Sequence, residues 1–97
     1  VIVGYGVLDL HLPHARDLKA KRRVVRGLID RLHARWRISV AETGAQELWQ
    51  RAEVSVAVVG RDAGEVERIL AAVEAAAEDL PEALVLDWRP GIVEDVE

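Results

Sequence analysis

Ala52-Glu53-Val54-Ser55-Val56-Ala57-Val58-Val59, closed by Gly60 and followed by Arg61-Asp62-Ala63-Gly64-Glu65, passes from one periodicity to another within a few residues. Val54, Val56 and Val58 alternate with small or polar residues, the period of a strand with one buried face. Asp62 and Glu65 have the spacing of a helix capping box, and Val66, Ile69, Leu70, Val73, Ala77 and Leu80 then recur at helical spacing until Pro81. A strand therefore feeds a helix. Leu84 to Arg89 supplies the next strand, which Pro90 and Gly91 are expected to break, leaving residues 90–97 as an acidic tail expected to fray.

The same order stands upstream. Val1 to Leu12 is apolar and rich in β-branched residues, with Leu8, Leu10 and Leu12 on one side, Asp9 and His11 on the other, and Pro13 closing it. Gly4 and Gly6 share the leucine side, where a helix backbone is expected to come close. From the N-cap Asp17 to Trp36, Leu18, Val25, Leu28, Ile29, Leu32 and Trp36 fall in one helical stripe. Arg37 to Thr43 alternates again, with Ile38, Val40 and Glu42 opposite Ser39 and Ala41, and Gly44 to Arg51 connects it to the valine strand. The order βαββαβ predicts an α+β fold over residues 1–97. This is a single ferredoxin-like domain, a two-layer sandwich in which two right-handed crossovers set both helices on one face of an antiparallel sheet.

Composition narrows the chemistry. The 97 residues are 51% hydrophobic and 31% charged, the balance of one small folded domain. Without cysteine, disulfides, thiolate metal sites and a cysteine nucleophile are excluded. Cys, Met and Asn are absent and arginine far outnumbers lysine, a usage expected of a thermophile and also of GC-rich coding. No apolar run approaches a membrane span and the N-terminus lacks signal-peptide features, so a cytoplasmic protein without a membrane partner is expected.

Charge is distributed unevenly. Residues 16–37 hold nine cations and two anions, a net +7, against −11 for the rest of the chain. Lys19, Arg22, Arg23 and Arg26 form a ridge on the first helix, and Lys21 falls in its apolar stripe, from which its stem is expected to snorkel outward. Cations at a helix start oppose the helix dipole, and a phosphate would relieve that strain. Arg16, Lys19, Lys21, Arg22, Arg23 and Arg26 are thus candidates for RNA binding, with Trp49 and Arg51 available to stack on unpaired bases. Two alternatives stand beside this: the cations pair with Glu67, Glu74 and Glu78 of the second helix or with a neighbouring subunit, and Trp49 plugs the core. The bare sheet face offers Val3, Tyr5, Val7, Ala57 and Val59, a surface suited to a second copy in a homodimer.

Other motifs carry less. Gly4-Tyr5-Gly6 lacks the third glycine and the following helix of a dinucleotide fingerprint. His11 and His14 sit at a strand end and a proline turn with no third ligand, and Ser39 and Ser55 have no recognisable base. No catalytic residue, metal or cofactor is expected, and the reading is of a non-enzymatic accessory protein.

Leu18-Lys19-Ala20-Lys21-Arg22-Arg23-Val24-Val25, then Ile38-Ser39-Val40-Ala41-Glu42 and Leu48-Trp49-Gln50-Arg51-Ala52, resemble the YlxP-like family of small bacterial proteins of unknown function. The likeness runs from about Leu8 to Val59, and Gly44-Ala45 stands where relatives more often carry polar or charged residues. The resemblance implies a ferredoxin-like fold and a cytoplasmic bacterial protein. It also implies a gene set among transcription and translation factors, including a ribosome-binding factor, which favours RNA or the ribosome as partner.

Overall fold

The computed structural model describes residues 1–94, and the rest of the acidic tail, residues 95–97, lies outside them. Six elements follow the expected order: β1 (Ile2–His11), α1 (Leu18–Arg35), β2 (Ser39–Gly44), β3 (Arg51–Gly60), α2 (Ala63–Glu78) and β4 (Leu84–Glu94). The strands form one antiparallel sheet in the order β2-β3-β1-β4. This is the ferredoxin-like α+β sandwich, with α2 over β1 and β4 and α1 over β2 and β3.

Both helices start on an aspartate. The Asp17 carboxylate accepts the Ala20 N–H at 2.7 Å and that of Asp62 accepts the Glu65 N–H at 2.8 Å, each satisfying one free donor of a helix end. Leu8, Leu10, Val54, Val56 and Val58 of the sheet meet Val25, Leu28 and Leu32 of α1 and Val66, Leu70 and Val73 of α2 in one core. Each such side chain contributes roughly 1.5–3 kcal/mol on removal from water.

Two expectations need correction. β4 does not stop at Arg89 but runs through Pro90 and Gly91 to Glu94, in register with Gly6, Tyr5 and Ile2 of β1. Because β4 is an edge strand, hydrogen-bonded on one side only, it tolerates a proline that a central strand would not, and Gly91 leaves space that the Tyr5 ring covers. The glycines of β1 make room for side chains, not for helix backbone. Gly4 receives Val66 and Leu70 of α2, and Gly6 receives the Trp88 indole of β4.

Candidate nucleic-acid interface

The exposed face of α1 carries Lys19, Arg22, Arg23 and Arg26 because the opposite face is spent on the core, where Val25, Leu28 and Leu32 are buried. With Gly27 and Asp30 these four cations line one shallow groove. Arg16 is exposed on the loop that enters the helix. Among the described residues, no carboxylate lies within 4.0 Å of any of these five cations. The intrachain half of the expected alternative, pairing with Glu67, Glu74 and Glu78 of α2, does not occur among the described residues. Arg35, at the far end of α1, stacks its guanidinium on the Trp36 ring at 4.8 Å.

Lys21 departs from the expectation of an outward-reaching anion contact. It is 0% exposed, and its ammonium donates to the carbonyls of Ala45 at 2.7 Å, Gln46 at 3.2 Å and Arg51 at 3.2 Å. Glu42 Oε2 stands 2.9 Å away, without hydrogen-bond geometry. Three protons meet three carbonyls, so the carboxylate supplies charge compensation and no additional hydrogen bond. Lys21 is a clamp, unavailable to a phosphate.

That clamp shapes the neighbouring loop. Ala45 adopts a left-handed backbone (φ 56°), and its carbonyl also accepts the Leu48 N–H at 3.1 Å. Gln50 donates to the carbonyls of Pro13 and Ala15 while its own carbonyl accepts the Leu12 N–H. Held at both ends, the loop presents Leu48 and Trp49 to solvent. Trp49 is 54% exposed and does not plug the core. It lines a groove with Glu47, Leu48, Gln50 and Arg51, separate from the basic groove. Arg51 pairs with His11 on the sheet side away from the helices, so Arg51 and the α1 ridge lie on different layers.

The open sheet face does gather Val3, Tyr5, Val7, Ala57 and Val59, joined by Val93 of β4. Its other half is charged, a feature the sequence reading missed. Glu53, Asp9 and Asp87 form one row across β3, β1 and β4, and Arg89 reaches Asp9 at 2.9 Å, Asp87 at 2.6 Å and Glu53 at 3.7 Å. Hydrogen bonds to Asp9 and Asp87 raise the Arg89 pKa above its ordinary value. Carboxylates directly opposite repel, and Arg89 offsets that repulsion. The alternation of Asp9 with the leucines was the available signal; the register that aligns it with Glu53 and Asp87 was not.

No helix is long and apolar enough to cross a membrane among the described residues. The solution NMR structure of a de novo designed protein with a ferredoxin fold matches at a TM-score of 0.55 and 16% identity, over 100% of this chain and 88% of the designed one. The uncharacterized protein YlxP of Bacillus subtilis (strain 168) is 28% identical over 81 residues, covering 84% of this chain and 88% of that protein. The model of a family described as a protein of unknown function (DUF503) matches residues 3–90, and with the YlxP likeness this establishes that the chain belongs to that family of YlxP-like proteins.

Proposed function

We propose that the protein is a non-enzymatic accessory factor that binds RNA, ribosomal RNA foremost, through the exposed cations of α1. One observation carries the reading: Lys19, Arg22, Arg23 and Arg26 share a groove with a single acid, Asp30, and no carboxylate of the described residues lies within 4.0 Å of any of the four. Like charges crowded in one groove, with Lys19 also in the first turn against the helix dipole, are a standing electrostatic cost, which a polyanion removes. Arg16 extends the patch, while Trp49 and Arg51 line a separate groove that would make a second, independent contact. Lys21 belongs to the scaffold.

The test is fluorescence anisotropy with labelled ribosomal RNA fragments. Four phosphate contacts give a salt dependence that lowers affinity about 50- to 150-fold between 50 and 200 mM salt. Replacing Arg22 and Arg23 by Glu abolishes binding. Affinity indifferent to salt, or unchanged by that double substitution, would remove the proposal.

A second reading, homodimerisation through the open sheet face, is favoured by the exposure there of Tyr5 (47%) and Val59 (70%) beside Val3, Val7 and Ala57. Sedimentation equilibrium distinguishes it, since a concentration-independent mass of 10.7 kDa would eliminate the dimer.

A further inference from the structure

Resting on the RNA reading above, we infer that the basic face of α1 docks on the sugar–phosphate backbone of double-helical RNA, with Gly27 as the point of closest approach. Gly27 lies in the interior of an 18-residue helix, where glycine is less stable than alanine. Nothing in the fold accounts for it. A Cβ at Gly27 would meet no atom within 4 Å, whereas Gly4, Gly6 and Gly91 each make room for a neighbouring side chain. The missing side chain leaves helix backbone bare in the groove of Lys19, Arg22, Arg23 and Arg26.

Whatever descends on Gly27 does so among four cations and one carboxylate, Asp30, a net charge of +3 in the groove. A second copy of α1 would bring like charges together, and an apolar segment would have to desolvate them. A phosphodiester backbone gains from the cations and from the close approach that a missing side chain permits. Lys19 to Arg26 also spans about 10 Å of helix axis, enough to follow several successive phosphates.

The choice of duplex over single strand follows from the side chains in reach. Unpaired bases are held chiefly by stacking on aromatic rings, with arginine in a supporting part; α1 contains no Phe, Tyr or Trp, and its one histidine, His33, lines a different groove from the ridge. On the open sheet face the Tyr5 ring lies against Gly91, and the exposed Trp49 lines a different groove. The ridge is therefore equipped for backbone contact, the means by which helical RNA is recognised by shape.

The experiment compares a labelled mixed-sequence RNA duplex with one of its strands alone, at low salt, for the unaltered protein, Gly27→Ala and Gly27→Leu. Both substitutions introduce stronger helix formers, so melting temperature holds or rises. Duplex affinity falls tenfold or more for the leucine variant and by less for alanine, which carries the test should the leucine variant fail to fold. Duplex binding by folded Gly27→Leu at the original strength, or single-strand binding as tight as duplex binding, overturns the inference. Concentration-dependent self-association without RNA that Gly27→Leu abolishes overturns it too, in favour of a protein contact. If the unaltered protein binds neither RNA form, the RNA reading itself has failed, a result distinct from an unaffected Gly27 variant.

Discussion

Dehydrating an ammonium costs several kcal/mol, and at Lys21 that cost is offset by three backbone carbonyls and the Glu42 carboxylate at 2.9 Å. Lys21→Met keeps the apolar stem but strands Glu42 and the carbonyls of Ala45, Gln46 and Arg51. Urea denaturation should show a loss of about 3–5 kcal/mol, of which adding Glu42→Gln recovers only part, because the carbonyls stay unpaired. A loss below about 1 kcal/mol would mean that water replaces the ammonium without strain. Gly6 makes the corresponding apolar case: its missing Cβ is the seat of the Trp88 indole, so Gly6→Ala should destabilise by about 1–3 kcal/mol in the same measurement. Lys21 was legible in the sequence as an anomaly, a cation in an apolar stripe, and Glu42 shared the core-facing side of its strand with Ile38 and Val40. Their meeting was not legible, because it depends on the turn through Ala45 and on the placement of α1 over β2.

At the level of elements, periodicity located both helices and the first three strands to within a residue or two, since each has one buried face and a strong local stop such as Pro13, Gly60 or Pro81. β4 overran its expected end because Pro90 and Gly91 break a central strand but not an edge strand, and edge position is a property of the sheet. The basic ridge was legible from helical spacing, and its freedom from carboxylates required the relative placement of α1 and α2. That freedom has a consequence for stability. The first turn of α1 contains no acidic residue, and Lys19 stands there against the helix dipole. Lys19→Glu relieves that opposition and places an acid four residues before Arg23, so the protein should gain about 0.5–1 kcal/mol at low ionic strength, a gain that shrinks as salt is added. RNA affinity falls in the same variant. Melting curves at two salt concentrations decide the matter: destabilisation by Lys19→Glu would show that the lysine already has a favourable partner.

Over the whole molecule the two candidate surfaces occupy opposite layers, the cationic ridge outside α1 and the apolar patch on the uncovered side of the sheet. Pairing of two copies through Val3, Tyr5, Val7, Ala57 and Val59 would therefore leave both ridges facing outward, related by a two-fold axis. RNA long enough to reach both would bind with an avidity that neither ridge has alone, and RNA too short to bridge would not. Val59→Asp separates these cases, because it puts a charge at a strongly exposed apolar position of the patch, in a groove apart from the Lys19–Arg26 ridge. The variant should sediment as a monomer, hold short duplexes as before and lose at least tenfold in apparent affinity for long structured RNA. Equal loss on short and long RNA would place Val59 in the RNA contact itself. If neither changes while the protein remains a monomer before and after substitution, the apolar face serves no second copy, and the ridge acts singly.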